Sequence, residues 1–119
     1  ASNLVIKHNE TNPRLFFSFP ISVPKIPSFI LDSGATHNVL SDSYAHRLGF
    51  LLYAKPTHHT VSGFDGSTRS ASFELSATLH NETSPTPLII ITLKDFYDGI
   101  LGMPWLHRNG HLISPIIKI

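Results

Sequence analysis

The segment with the clearest chemical potential is Asp32-Ser33-Gly34-Ala35-Thr36, which directly follows the apolar residues Phe29-Ile30-Leu31. A carboxylate after an apolar run is expected where a buried strand emerges into a turn. Gly34 permits a close approach of the backbone, and its N–H can donate a hydrogen bond to the Asp32 carboxylate. The hydroxyls of Ser33 and Thr36 can fix the same turn. The segment predicts a rigidly held carboxylate, although Asp, Ser and Gly also make ordinary surface turns.

One carboxylate alone does little to a peptide bond, whereas two facing carboxylates can hydrolyse it. At a separation of roughly 3 Å the two groups cannot both ionise, so they share a proton. The ionised member takes a proton from water while the protonated member donates to the scissile carbonyl. The sequence contains one Asp-Ser-Gly, and we expect its 119 residues to leave no room for a second lobe. The second carboxylate is then expected from an identical chain across a two-fold axis, which predicts a homodimer.

The sequence pattern on either side of this turn predicts an all-β domain, a sandwich or closed barrel, with one or two short helices. Two helices are predicted, over 41–48 with Ser41 as N-cap and Gly49 as the stop, and over 104–108. Residues 61–73 predict a hairpin, and residues 81–87 predict a turn. The remaining strand-like segments are 14–23, 28–31, 73–77, 88–93, 100–102 and 116–119.

Composition excludes several classes of protein. With 41% hydrophobic and 14% charged residues, the 119-residue chain is expected to fold as one domain and not as a disordered tail. The net charge of +1 comes from scattered cations, so we expect no nucleic-acid partner. The longest aliphatic stretch, residues 88–91, is too short for a membrane span. The absence of cysteine excludes disulfides and thiolate catalysis and fits a reducing, intracellular compartment.

Three segments together carry a resemblance to a known family: residues 29–38, the sequence Gly63-Phe64-Asp65-Gly66, and residues 99–106. The chain resembles the retropepsin-like aspartic proteases, particularly those of gypsy-type long-terminal-repeat retrotransposons and their domesticated relatives. The resemblance covers about residues 14–113, and it implies an intracellular location, in the cytoplasm or within virus-like particles. We therefore expect residues 1–13 to form a flexible or processing-proximal segment, and residues 14–119 to form the protease subunit.

The resemblance implies roles for the Asp32 loop. Asp32 would be the catalytic aspartate, and Ser33 would take part in a hydrogen-bonded clasp between the two active-site loops of a dimer. Gly34 would supply backbone contacts to the pair of carboxylates. Ala35 and Thr36 would support the loop.

The resemblance also implies a flap and a supporting strand. Residues 61–73 would form the flap, with Gly63 and Gly66 giving it mobility. Phe64 at its tip would either cover substrate side chains or pack on its own hairpin, and Asp65 is read as a turn former. The support would come from the strand Ile100-Leu101-Gly102, with Gly102 allowing close backbone packing beneath Asp32.

Three further predictions concern the last part of the chain. Trp105 is expected to pack in the core or near the dimer interface. Arg108 lies where retroviral relatives carry an arginine that braces the active-site loop. Residues 116–119 could form a terminal strand that contributes to the dimer.

The sequence leaves two alternatives to this interpretation. The first alternative is a metal site, for which His58-His59 and His107…His111 are the clustered candidate ligands. No third ligand accompanies either pair, so we expect no metal and no cofactor. A retropepsin-like domain could instead be a catalytically silent dimerisation or peptide-binding module. The intact Asp-Ser-Gly-Ala-Thr favours the enzyme, with a Gag–Pol polyprotein as the substrate that the resemblance implies.

Overall fold

The computed structural model describes residues 5–7, 17–20, 27–62, 68–93 and 97–110 of the chain. Over these residues two short helices, α1 (Asp42–Arg47) and α2 (Met103–Asn109), accompany the strands, with one 3-10 turn at Phe50–Tyr53. The strands are β1 (Val5–Lys7), β2 (Phe29–Asp32), β3 (Val39–Ser41), β4 (Lys55–Ser62), β5 (Thr68–Thr78), β6 (Pro85–Ile91) and β7 (Gly99–Leu101). The predicted all-β class with two short helices is confirmed.

Within the described residues the strands form one sheet in the order β1-β2-β7-β3-β6-β5-β4. β2 pairs with β7 in parallel and with β1 antiparallel, so β2 lies between two strands. β7 continues the sheet by pairing antiparallel with β3, and β3 pairs in parallel with β6. This order places Asp32, the last residue of β2, on an inner strand that is one strand from the edge formed by β1.

Apolar side chains cover both faces of the central strands. Successive residues of a strand point to opposite faces. Leu40 accordingly joins a core cluster with Phe29, Leu31 and Trp105, whereas its neighbour Val39 joins a second cluster. All four residues of β2 are buried, because both of its faces are covered. The strand that carries Asp32 is therefore held from two sides.

Helix α1 begins and ends where its local signals predict. The Ser41 hydroxyl accepts a hydrogen bond from the Tyr44 amide, which caps the helix N-terminus. Gly49 follows the C-terminal end with a φ of +74°, a left-handed conformation that glycine adopts without strain. The helix is shorter than the predicted 41–48, because Ser41 belongs to β3 and Leu48 is the C-cap.

Three sequence predictions need correction. The segment 81–87 is not all turn, since β6 begins at Pro85 and pairs with β5 through Thr78. The hairpin arms are longer than 61–73, because β4 and β5 pair from Lys55 opposite Glu74 to Ser62 opposite Thr68. Residues 73–77 alternate apolar and polar types in the sequence, as a half-buried strand does, but their burial does not follow this alternation at its start. There Phe73 is 47% exposed and Glu74 is buried, with Lys55 and His59 less than 4 Å from its carboxylate.

Other predictions lie partly or wholly outside the described residues. The hairpin tip at 63–66 and the terminal strand at 116–119 are among them. Of the strand predicted over 14–23, the structure describes residues 17–20. Ser18 forms a single antiparallel bridge there with Thr78, and Pro20 lies in a bend.

Candidate active site

Asp32 is the last residue of β2, and its side chain is fully buried. The chain turns immediately afterwards, and the Ala35 amide donates a 3.1 Å hydrogen bond to the Asp32 carbonyl oxygen. The Gly34 amide donates a 2.8 Å hydrogen bond to Oδ1 of the Asp32 carboxylate. Ser33 is half-buried in the same turn. The Gly34 amide therefore orients the carboxylate, as the sequence predicts, while the Ala35 amide closes the turn through the main chain.

The end of β7 packs directly beneath this turn. A Cβ added to Gly102 would lie 2.4 Å from the carbonyl oxygen of His37 and 2.7 Å from that of Ala35, distances that real Cβ atoms do not show. The following amide, that of Met103, donates a 2.9 Å hydrogen bond to the Ala35 carbonyl oxygen. The structure thus brings Gly102 and the Asp32 loop together, and only glycine permits this approach.

Ile100 and Leu101 connect this packing to β2. Leu101 lies opposite Leu31 and Ile100 opposite Ile30 in the parallel pairing of β7 with β2. Leu101 is fully buried in the larger core cluster. The strand therefore supports the residue that immediately precedes Asp32.

A second contact of the Asp32 loop reaches the β4–β5 hairpin. The Thr36 amide donates a 3.1 Å hydrogen bond to the carbonyl oxygen of Ser62, the last residue of β4. The Ser62 amide in turn donates a 3.0 Å hydrogen bond to the Thr36 hydroxyl. The segment that follows Ser62 carries Gly63, Phe64, Asp65 and Gly66, whose predicted flap roles lie outside the described residues.

Two histidines lie beside this contact. The ring of His37 meets the ring of His59 on β4 edge to face, with their centroids 5.2 Å apart. Burial, and next the charge of His59, lower the pKa of His37 below its ordinary value of 6.5. His59 is itself 3.8 Å from the Glu74 carboxylate. The part of the chain that the structure describes contains no group of three or more residues able to hold a metal ion.

The geometry is that of a strand-ending aspartate held in a glycine-containing turn and supported from below by a second strand. A scan against protein families matches residues 24–105 to the family described as aspartyl protease. The chain belongs to the aspartyl protease family. The match includes Asp32, its turn and the β7 support, and covers more than half of the chain. Searches of curated proteins and of solved structures found no match.

In this aspartyl protease, two positioning residues escaped the sequence analysis. Asn38 is buried, and its side-chain oxygen accepts a 2.9 Å hydrogen bond from the Gly102 amide. Asp98 accepts a 2.8 Å hydrogen bond from the Ser28 amide through its carboxylate and another of 2.8 Å from the Ser41 amide through its carbonyl. The signal for Asn38 was present, since it is a polar residue directly before the apolar pair Val39-Leu40. Asp98 carried no comparable signal.

The hydrogen bonds of the Trp105 and Arg108 side chains do not involve the Asp32 turn. Trp105 is fully buried in the core, and its ring N–H donates a 3.2 Å hydrogen bond to the His80 carbonyl oxygen. Arg108 forms two hydrogen bonds with Glu82, one of them 2.9 Å long. The described partner of Arg108 is therefore the turn between β5 and β6, and the bracing of the active-site loop by this residue is not observed.

No helix in the described part of the protease is long and apolar enough to span a membrane. This finding applies to α1 and α2, which are 6 and 7 residues long.

Proposed function

We propose that this aspartyl protease acts as a homodimer in which the Asp32 carboxylates of two identical chains face each other and hydrolyse a peptide bond. The observation that carries the proposal is the burial of Asp32 at the end of an inner strand, with its Oδ1 held by the Gly34 amide. A carboxylate is costly to bury, so a fold that fixes one in this way indicates a chemical role.

The reaction requires one proton to be shared between the two carboxylates. The ionised carboxylate removes a proton from a water molecule, and the oxygen of that water forms a bond with the scissile carbonyl carbon. The protonated carboxylate donates its proton to the carbonyl oxygen as the tetrahedral intermediate forms. When the C–N bond breaks, the amide nitrogen takes up the proton that the first carboxylate removed from water, and the amine leaves. A hydroxyl of the intermediate returns its proton to the other carboxylate as the new carboxyl group forms, which restores the shared proton. No covalent enzyme intermediate is formed.

A second carboxylate must come from another chain under this proposal. The sequence contains a single Asp-Ser-Gly, at residues 32–34. A closed two-fold axis brings the same residue of both subunits together, which gives each dimer one site. Ser33 is half-buried beside Asp32. Under this proposal its hydroxyl takes part in a hydrogen-bonded clasp between the two loops.

The proposed substrate is an extended peptide within a polyprotein of the Gag–Pol type. Support for this comes from the resemblance of residues 29–38 and 99–106 to the retropepsin-like proteases of gypsy-type elements. An extended peptide is bound by main-chain hydrogen bonds, which tolerate several sequences around the cut.

The experiment is a comparison of the wild type with Asp32→Asn on a peptide library read by mass spectrometry. Asn keeps the shape of the side chain but cannot act as base or acid, so cleavage should fall to background while far-UV circular dichroism stays unchanged. Asp42→Asn is the matched control, since Asp42 lies on α1 and accepts a hydrogen bond from Thr92, which Asn can also accept. That variant should cleave like the wild type.

The homodimer is tested in the same assay by dilution. Specific activity should fall as the protein is diluted below the dissociation constant found by sedimentation. A rate per chain that stays constant down to the monomer range would contradict a shared site. A folded, dimeric wild type that cleaves no peptide would instead favour the silent module.

A further inference from the structure

The Asp32 loop and the β4–β5 hairpin are joined by a contact that the proposed reaction does not itself require. Thr36 and Ser62 are 26 residues apart in sequence, yet each donates its amide to the other residue. The Thr36 amide bonds the Ser62 carbonyl oxygen at 3.1 Å, and the Thr36 hydroxyl oxygen accepts the Ser62 amide at 3.0 Å. One residue of the loop therefore satisfies both backbone groups of the last residue of β4.

This contact lies between two fixed points. On the loop side, the residue before Thr36 is Ala35, whose amide bonds the Asp32 carbonyl oxygen and whose carbonyl oxygen accepts the Met103 amide. On the hairpin side, Ser62 pairs with Thr68 across the two strands. A continuous series of hydrogen bonds thus runs from Asp32 to the end of the hairpin arms.

Packing in the core does not explain the presence of a threonine at position 36. It is exposed, so its hydroxyl is not needed to fill the core. The hydroxyl oxygen is also 2.8 Å from Nδ1 of His37, the residue whose ring meets His59 on β4. A hydroxyl has one proton to donate and two lone pairs to accept with, so Oγ1 can serve Ser62 and His37 together.

We propose that Thr36 is a positioning residue that holds the end of β4 at a fixed place relative to Asp32. The proposal rests on the proposed protease function and extends it, because a peptide that is cleaved at Asp32 and bound by the hairpin needs both elements in register. Loss of the hydroxyl leaves the Thr36 amide bond in place but releases the Ser62 amide. The hairpin then binds the peptide in a wider range of positions, which weakens binding more than it changes the chemistry.

The test uses Thr36→Val, which removes the hydroxyl at nearly constant shape, and Thr36→Ser, which restores it. With a fluorogenic peptide that the wild type cleaves, Thr36→Val should raise KM by roughly tenfold while kcat changes less than about threefold. Thr36→Ser should return KM to within about twofold of the wild type. Thr83→Val is the matched control, because Thr83 is an exposed threonine between β5 and β6, outside the β4–β5 hairpin, and its KM should not change.

A second measurement reports on the contact without catalysis. Hydrogen exchange at the Ser62 amide, followed by NMR, should accelerate in Thr36→Val and remain slow in Thr36→Ser and Thr83→Val. Faster exchange with an unchanged KM would show a merely structural contact and overturn the positioning role. An unchanged exchange rate would overturn the contact itself.

The outcomes separate this inference from the proposed function. If the wild type cleaves and Thr36→Val keeps the wild-type KM, the positioning role is wrong and the protease function stands. If the wild type cleaves no peptide at any concentration, the function is wrong. The positioning role then falls with it, whatever the Ser62 exchange rates show.

Discussion

The replacement of Gly102 by alanine tests the close packing beneath the Asp32 turn. The change adds one methyl group at the point where β7 ends. The new Cβ would meet two backbone carbonyl oxygens, at 2.4 Å for His37 and 2.7 Å for Ala35. Backbone atoms cannot rotate away as the end of a flexible side chain can, so the strand and the turn must separate.

The size of the effect follows from these distances. Real Cβ atoms essentially never come within 3.0 Å of such a neighbour, so the His37 oxygen must move by about 0.6 Å, the difference between 3.0 and 2.4 Å. This movement strains the hydrogen bonds from the Gly102 amide to Asn38 and from the Met103 amide to Ala35, each 2.9 Å long. Overpacking of this kind costs about 1–3 kcal/mol, and we expect the upper end because two bonds are strained together.

The assay is urea unfolding at pH 7, with Gly110→Ala as the matched control. Gly110 follows α2 with helical backbone angles, and no atom of the described residues lies within 4 Å of a Cβ placed there. Alanine at that position should be neutral or stabilise the protein by about 0.5 kcal/mol, because it restricts the unfolded chain. The two variants make the same chemical change and differ only in the space around it.

Activity gives the second readout of the same variant. Because the shifted turn carries Asp32, kcat should fall by roughly ten- to a hundredfold, while Gly110→Ala keeps the wild-type value. A Gly102→Ala protein that loses less than about 1 kcal/mol and retains kcat would refute the reasoning, since the turn would then be free to move without cost.

Two further predictions concern pH. The hydrogen bond from Arg108 holds the pKa of Glu82 below its ordinary value of 4.5. The pair therefore stabilises the fold above that pH, and this stability is lost as the pH falls through the folded-state pKa. Glu82→Gln should therefore lower the free energy of unfolding by about 1 kcal/mol at pH 7. In acid, the free energies of unfolding of the variant and the wild type should converge, as measured by urea unfolding across pH. A difference that stays constant with pH would contradict this. His37 acts with the same sign but nearer to neutral pH. Its pKa is lowered by burial and then by His59, so the unfolded chain binds the proton more readily and stability falls as the pH drops through 6.5. His37→Gln should flatten the dependence of the free energy of unfolding on pH in that range, and a dependence parallel to that of the wild type would exclude this role. The contact of His59 with Glu74 is retained in both proteins, so it does not account for a difference between them.

Much of the Asp32 turn could be predicted because its signals are local. The apolar run of β2 ends at the aspartate, and Gly34 lies two residues later, within reach of the carboxylate. The cap of α1 by Ser41 and the left-handed Gly49 are equally short-range. Each of these features depends on residues within about one turn of chain, so residue type alone indicates the geometry.

The contacts that surround the turn could not be obtained in this way. Arg108 was expected near the active-site loop, but it pairs with Glu82, 26 residues earlier in the chain. Asn38 meets the Gly102 amide over a separation of 64 residues. Neither partner is marked in the sequence, because any of several exposed or buried groups could have satisfied the same side chain.

By itself, the sequence determined that an aspartate would end a buried strand in a glycine-containing turn, and that β-strands would dominate the chain. Only the tertiary structure decided that β7 lies in parallel beside β2 and that Thr36 meets Ser62. The packing of Gly102 beneath the turn was expected, but its distances are set by this strand pairing. The physical reason is the range of the interactions. Strand propensity and capping act between neighbours in the chain, whereas the order of strands is set by burying both faces of the sheet at once.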